Sequence, residues 1–328
     1  MGDNMTDYNQ YLSWLEETFE RYSQGKAIYD VCVNVLKESP GAELIVSPAN
    51  LGDTVFIGTL AKEYKKAHNV NTLLIAAKKR QADAVEWFEG VDAVMPLEDY
   101  EMICLRHYFI ISRKFYENGI RYGHIPCYVD WNVPNNFLHI EPGFRGDSLM
   151  NIWKKRLLDL PDDSELGGII VPPNNGIVAC PAKYGNAVLI APAAFTNKGI
   201  PESFWEKLVA KLNEKGIEVY CNSGGLSYDQ IIKGSKECIL STRELIINAP
   251  LFKHVIAVRS GFTDLVTKTS AKLTVLHLGG KTDSPLKVEY GSRNDDVRDL
   301  GRMEDIFPYE YCSEREDELI DLILQDVK

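Results

Sequence analysis

The chain has 328 residues and a formal net charge of −11, with 45% hydrophobic and 25% charged residues. That length is about twice an ordinary domain and points to two domains, or else one large α/β domain, and the apolar share leaves little room for extended disorder. The acidic balance argues against bulk nucleic-acid or anionic-membrane binding, while a local basic pocket for a phosphate stays open.

In chain order, the opening forty residues read as helix. Tyr11, Leu12, Leu15, Phe19 and Tyr22 share one face, Val31, Val33, Val35 and Leu36 form a second apolar stretch, and Pro40-Gly41 ends the pattern. Short apolar runs then alternate with amphipathic stretches. Glu43 to Ser47 predicts a buried strand, Gly52 to Lys66 a helix with Val55, Leu60 and Tyr64 inward, and Asn71 to Ala76 and Val91 to Pro96 two further strands. Strand, helix, strand at this spacing predicts a parallel sheet covered by helices.

Between Tyr100 and Leu160 the rhythm is lost. This stretch carries Tyr108, Phe109, Phe115, Tyr116, Tyr122, Tyr128, Trp131, Phe137, Phe144 and Trp153, together with Arg106, His107, Arg113, Arg121 and His124. Its rings suit either a hydrophobic core or a surface on which a flat ligand face stacks, and its cations either ordinary surface positions or contacts to an anionic ligand. The Gly- and Pro-rich segment from Leu160 to Lys183 is the linker candidate.

The rhythm resumes with a strand over Ala187 to Pro192 and a polar loop to Ile200. Pro201 opens a helix with Phe204, Leu208 and Leu212 inward, and Gly216 closes it. Ile217 to Cys221, Val255 to Val258 and Leu273 to Leu276 predict strands. Ser241-Thr242-Arg243-Glu244 is a capping box opening a short helix, and another helix starts near Ser260-Gly261. Arg315 to Val327 forms a last helix. The domains expected are therefore residues 1–170, an N-terminal Rossmann-like domain with extra N-terminal helices, and residues 185–312, a second one, followed by a C-terminal helix at 313–328.

Seven cysteines without a C-x-x-C pair make neither a disulfide framework nor a zinc knuckle and read as the reduced thiols of a cytoplasmic protein. No run approaches the roughly 18 apolar residues of a membrane span. The polar, acidic start does not read as a signal peptide, so at most a peripheral membrane contact is expected. There is no G-x-G-x-x-G, no H-E-x-x-H, no G-x-S-x-G and no D-x-D, and the P-loop-like Gly279-Gly280-Lys281-Thr282 lacks its first glycine.

Three strand-to-helix turns remain as sites for chemistry, because open α/β sheets bind ligands outside the carboxyl ends of their strands. In Ser47-Pro48-Ala49-Asn50-Leu51-Gly52-Asp53, Gly52 permits close backbone approach. Asp53 is either a helix cap or a carboxylate presented to a ligand. In Pro192 to Gly199, Lys198 is either a solvated lysine or a point charge for a diphosphate. In Val258 to Asp264, Arg259 beside Ser260-Gly261-Phe262 is either a structural partner of a carboxylate or part of an anion site built on a helix terminus. Asp229, after Gly224-Gly225, is either an exposed loop acid or a ligand for ribose hydroxyls.

Taken in order, Leu51-Gly52-Asp53, Ala191-Pro192 to Lys198 with Pro201-Glu202-Ser203-Phe204-Trp205, Leu240-Ser241-Thr242-Arg243-Glu244-Leu245, and Arg259-Ser260-Gly261-Phe262 resemble the family-nine glycosyltransferases, the heptosyltransferase family of lipopolysaccharide assembly. The resemblance spans roughly residues 43–97 and 187–280. It implies a GT-B α/β architecture, two doubly wound Rossmann-like domains facing a central cleft, and an inverting transfer without a metal or other cofactor. The donor would be a nucleotide-diphosphate sugar and the acceptor a glycan or glycolipid, with no nucleic acid involved. By this carry-over Asp53 is the general base, and Asn50 and Gly52 belong to the acceptor-side loop. Lys198, Arg259, Ser260, Gly261, Phe262, Asp264 and Asp229 belong to the donor side. The family turn usually reads Asp-Ser-Gly-Pro followed by a histidine. Here Arg259 stands for the acid, Phe262 for the proline and Asp264 for the histidine, so the donor sugar does not carry over. The alternatives are a nucleotide-sugar epimerase and a non-catalytic sugar-nucleotide or glycan-binding protein of the same fold.

Overall fold

The computed structural model describes residues 3–124, 147–194, 200–222 and 231–327, with backbone only at residues 3–12, 181 and 182. Among the positions singled out above, Tyr128, Trp131, Phe137, Phe144, Lys198 and Asp229, and the side chains of Tyr11 and Leu12, lie outside the described residues. The chain forms two compact units. The first is Met1–Phe137 with Trp153–Gly167, and the second is Leu138–Ile152 with Gly168–Lys328.

The first unit is built on β1 (Ala42–Ser47), β2 (Thr72–Lys78), β3 (Ala93–Leu97), β4 (Tyr116–Glu117) and β5 (Ile120–Tyr122). Their order across the sheet is β3-β2-β1-β5-β4. β1 runs parallel to both β2 and β5, with Ile45 opposite Ile75 and Arg121, and only β4 is antiparallel. Helices α1 (Asp3–Lys37), α2 (Leu51–His68), α3 (Lys79–Val85) and α4 (Asp99–Ser112) flank it. The strands and the helix expected between Glu43 and Pro96 are present within a few residues of their predicted limits.

Two features differ from the sequence reading. The opening segment is one continuous helix whose inward seam is Gly25, Tyr29, Cys32 and Leu36, whereas Phe19, Val31 and Val35 are exposed. The seam is set by α4, which the aromatic stretch concealed. Met102, Leu105, Tyr108 and Phe109 of α4 share a core with Tyr29, Cys32, Leu36, Leu44, Val46 and Ile120. Tyr29 and Tyr108 meet at a ring distance of 4.8 Å. The start of α4 is also a reciprocal cap, but made by two glutamates: Glu98 N–H donates to Glu101 Oε2 at 2.8 Å. A search for Ser or Thr at the cap passes over it. Tyr108, Phe109, Tyr122 and Trp153 of the aromatic stretch are buried, while Tyr116 is exposed.

The second unit contains β6 (Ala187–Ala191), β7 (Glu218–Cys221), β8 (Lys236–Glu237), β9 (His254–Val258), β10 (Leu273–Leu278) and β11 (Ile306–Tyr311), in the order β11-β10-β9-β6-β7-β8 and all parallel. Every residue of β6 and β9 is buried, as expected of strands covered on both faces. The Ser241 capping box forms as read: Glu244 N–H donates to Ser241 Oγ at 3.3 Å and Ser241 N–H to Glu244 Oε2 at 2.8 Å. The closing helix, Glu316–Asp326, sets Leu319, Ile320, Ile323 and Leu324 into the same core as Phe204, Trp205 and Leu208. β11 was not anticipated because Pro308 sits inside it. Like Pro96 in β3, Pro308 lies on the outermost strand of its sheet, where a missing N–H is tolerated. Among the described residues no helix is long and apolar enough to cross a membrane.

A Cβ added at Gly25 would lie 2.0 Å from the Cys104 carbonyl oxygen, so the α1–α4 contact depends on a missing side chain. Gly25→Ala is expected to destabilise the first unit by about 2 kcal/mol, because backbone and not a flexible side chain must yield. Urea denaturation followed by tryptophan fluorescence measures this, and an unchanged midpoint would show that the helix pair slides freely.

Candidate functional site

Because both faces of each sheet are covered, the polar groups that reach solvent gather at the carboxyl ends of the strands. In the first unit β1 ends at Ser47 and the chain turns into α2 at Asn50, an extended residue with φ −98° and ψ 177°. Asn50 N–H donates to Asp53 Oδ2 at 2.9 Å, so Asp53 does cap its helix through one carboxylate oxygen. The turn is anchored from below by fully buried hydroxyls. Thr54 Oγ1 lies 2.8 Å from Ser47 Oγ and 3.2 Å from Oε1 of the buried Gln81. Gly52 sits in the first turn of α2 and is not among the glycines with positive φ.

The second carboxylate oxygen, Asp53 Oδ1, lies 3.9 Å from Nε2 of His124. Asp53 and His124 keep 28% and 23% of their side-chain surface exposed, enough for a ligand to reach either. His124 arrives by way of Gly123, whose N–H donates to Val46 O at 2.8 Å and extends the β1–β5 pairing past the strand end. A Cβ at Gly123 would come within 2.8 Å of both Ile45 Cγ2 and Ile57 Cδ1 and 2.9 Å of Val46 O, so only glycine lets the chain pass this close to β1. The His124 ring then meets Tyr122 and Trp153 edge-on, both at 6.4 Å, and Trp153 stacks on Phe56.

Lys78 ends β2 beside this site. Burial, with help from the Arg80 guanidinium, lowers the pKa of its ammonium, and the Asp99 and Asp53 carboxylates oppose the shift. Of the other cations considered for an acceptor, Arg106 acts on Lys78. His107 Nδ1 lies 2.9 Å from Ile103 O within its own helix. Arg121 is engaged with the Tyr64 hydroxyl at 3.0 Å and Leu157 O at 3.3 Å, and Arg113 caps α4 in the left-handed conformation.

In the second unit β9 runs into Arg259 and Ser260, and the helix Gly261–Thr267 follows. Ser260 N–H donates to Thr263 Oγ1 at 3.1 Å and Thr263 Oγ1 donates to Ser260 O at 2.6 Å, closing the turn. The Arg259 guanidinium folds back onto it. Nη1 donates to Asp264 Oδ2 at 3.0 Å and to Ser260 O at 3.1 Å, and Nε donates to Asp295 O at 2.8 Å. Arg259 and Asp264, two of the positions at which this sequence departs from the family turn, are thus direct partners, with side chains only 11% and 3% exposed. Phe262 is half-buried at the helix start.

Beneath the turn lies an ionic cluster that no motif announced. Arg293 pairs with Asp295 at 2.8 Å and with Glu310 at 2.7 Å. Burial opposes ionisation of Asp295, but the Arg293 hydrogen bond and the Arg259 charge prevail and hold its carboxyl below the usual range. His277 of β10 lies 3.8 Å from Asp295, and burial pushes its pKa down to about 3. Lys78, Gly123, His277 and Asp295 were all missed from the sequence, since each matters through a neighbour distant along the chain.

No protein-family model matches the chain, and no curated protein matches its sequence. Solved structures do match its fold. The family 9 glycosyltransferase of Veillonella parvula superposes with a TM-score of 0.54 at 11% identity, over 87% of this chain and 97% of that one. E. coli heptosyltransferase WaaC, solved with ADP-2-deoxy-2-fluoro heptose, gives 0.52 at 12% identity over 87% and 99%. E. coli ADP-heptose LPS heptosyltransferase II gives 0.50 at 12% over 88% and 100%. These neighbours are GT-B glycosyltransferases, and the chain shares that α/β fold class, as the sequence resemblance implied.

Two outcomes are expected here. Asp264→Ala leaves Arg259 buried beside a vacated partner and costs about 3 kcal/mol, and Arg259→Ala costs a similar amount. The double variant should lose less than the sum, and strict additivity in a denaturation cycle would refute the pairing. His277 is neutral in the folded protein, whereas the unfolded chain protonates it below about pH 6.5. The unfolded state therefore binds the extra proton, and stability is lost as pH falls from about 6.5 toward 3. In His277→Gln the acid-side slope of unfolding free energy against pH should be shallower by up to about 1.4 kcal/mol per pH unit, measured by urea titration between pH 7 and 4.

Proposed function

We propose that this protein is an inverting, metal-independent glycosyltransferase that moves a sugar from a nucleotide-diphosphate donor to a glycan or glycolipid acceptor of the surface-polysaccharide or lipopolysaccharide type. The observation that carries the reading is the placement of Asp53. A carboxylate is fixed at the carboxyl end of the first sheet by a backbone N–H on one oxygen, and it remains partly open to solvent. One of the structural neighbours, E. coli WaaC, was solved both with ADP and with an ADP-sugar analogue, which supports a nucleotide-sugar donor.

In this mechanism Asp53 takes the proton from an acceptor hydroxyl while that oxygen attacks the anomeric carbon. The bond from the anomeric carbon to the phosphate oxygen breaks in the same displacement, its electron pair leaves with the nucleoside diphosphate, and the configuration inverts. The resemblance assigns the departing diphosphate to Lys198, Arg259 and the amides of Ser260-Gly261-Phe262, and Asp229 is the candidate for the ribose hydroxyls. Arg259 serves that turn from behind, through Asp264 and Asp295. The acceptor approaches the Asn50–Asp53 loop. The absence of a D-x-D pair anywhere in the sequence supports operation without a metal. One observation favours the rival reading of a non-catalytic sugar-nucleotide-binding protein, namely that the family's Asp and His are here a salt-bridged Arg259 and Asp264.

The expected result is slow release of nucleoside diphosphate from one member of a panel of ADP-, GDP- and UDP-sugars. Asp53→Ala should lower that rate about 10²- to 10⁴-fold, the usual contribution of a general base, while nucleotide binding by calorimetry is retained. Undiminished turnover in Asp53→Ala would remove the base assignment. Nucleotide binding without turnover in the wild-type protein would select the binding-protein reading, and no nucleotide affinity would remove the donor site.

A further inference from the structure

We propose that His124 is a positioning residue for the Asp53 carboxylate. The inference rests on Asp53 as the base and adds a second side chain to that site. Asp53 has two oxygens in unequal surroundings. Oδ2 accepts the Asn50 N–H at 2.9 Å, and Oδ1 faces His124 Nε2 at 3.9 Å. One backbone bond leaves a carboxylate free to rotate about its own axis, and a second contact on the other oxygen removes that freedom. The separation is longer than a hydrogen bond and falls within the range from which catalytic contacts tighten when substrate binds.

The imidazole is well placed for such a task because its own position is fixed by the sheet. β5 pairs with β1 at Val46 and Tyr122, the Gly123 N–H continues the ladder, and the space at Gly123 admits no side chain. Trp153, buried and stacked on Phe56 of α2, stands against the ring from another side. Asp53, in the first turn of the helix after β1, and His124, just past β5, therefore follow two strands that pair directly in one sheet. In the transfer step the acceptor proton still goes to Asp53. His124 forms and breaks no covalent bond; it turns the carboxylate so that a lone pair points at the incoming hydroxyl. Lys78, at the end of β2, also feels the Asp53 charge, and such a long-range charge does not replace a directional donor.

A kinetic cycle tests this on the nucleotide sugar that turns over. His124→Ala is expected to lower kcat about 10- to 100-fold with the donor KM unchanged, the loss that follows from a misaligned reacting group. His124→Gln, which keeps an N–H near the Nε2 position, should recover most of it, and His124→Asn, which does not reach, should not. Introduced into Asp53→Ala, His124→Ala should cost nothing further, because its effect passes through that carboxylate. Wild-type kcat in His124→Ala, or an equal loss in both backgrounds, overturns the proposal while leaving Asp53 as base. Full activity in Asp53→Ala removes the base reading itself, a separate result. If no sugar in the panel turns over, or if His124→Ala does not fold, long-range ¹H–¹⁵N spectra of the imidazoles decide. Asp53→Asn should move the His124 ring resonances and leave His254 and His277 in place, and an unmoved His124 overturns the pairing.

Discussion

Parallel strands cannot be joined by tight turns, so each crossover carries a helix back over the sheet and both faces become buried. This constraint governs both units. It buries every residue of β6 and β9, sends Pro96 and Pro308 to the outermost strands, and leaves the carboxyl ends of the strands as the places where the candidate polar side chains reach solvent. At the carboxyl ends the chain must also turn abruptly into a helix. Asn50 and Ser260 stand at these turns, each with an N–H that needs an acceptor. In one case the acceptor is the Asp53 carboxylate and in the other the Thr263 hydroxyl. The cap and the proposed base are thus the same carboxylate, and the two readings of Asp53 do not compete: one oxygen secures the helix while the other remains available.

The two turns differ in how they handle charge. Around Asp53 the groups are partly exposed, with the Asn50 N–H on one carboxylate oxygen and His124 facing the other. Around Arg259 the guanidinium and Asp264 are largely buried, and Asp295, Arg293 and Glu310, themselves partly exposed, continue a chain of hydrogen bonds and ion pairs from them. Burying ions is costly and becomes tolerable only when each finds a partner with good geometry. An acid-to-arginine exchange at position 259 would be disruptive alone. The aspartate at 264, in direct contact, supplies the opposite charge that the buried guanidinium needs. The pairing also sharpens the meaning of the −11 net charge, which coexists with arginines drawn inward to brace this turn.

The parts of the fold that were legible in the sequence are those with local causes. Continuous apolar runs gave most of the parallel strands, Ser241 and Glu244 announced their own helix, and Pro201 and Gly216 bounded another. Helix α4 was obscured because its cap uses glutamates and its apolar face lies among aromatics that obey no visible period. The seam of α1 was misread for a related reason. Phe19, Val31 and Val35 look as suitable for burial as Tyr29 and Cys32, and only the position of α4 decides between them. β5 is three residues long and exists through its pairing with β1, so no window of sequence could have contained its signal.

For the site, the sequence alone determined that a carboxylate stands where a strand turns into a helix, since Gly52-Asp53 after an apolar run is a local pattern with a local physical cause. It also determined that position 259 carries an arginine and that no D-x-D pair exists. Tertiary structure decided what those residues meet. That Asp53 faces His124 across 71 positions of chain depends on β5 returning beside β1 and on Gly123 fitting where no other residue would. That Arg259 turns inward to Asp264 and Asp295 depends on the loop before β11 folding beneath the turn. Local chemistry fixes which groups a turn presents, whereas the partners that align or neutralise them come from strand pairing, which joins residues that sequence proximity does not.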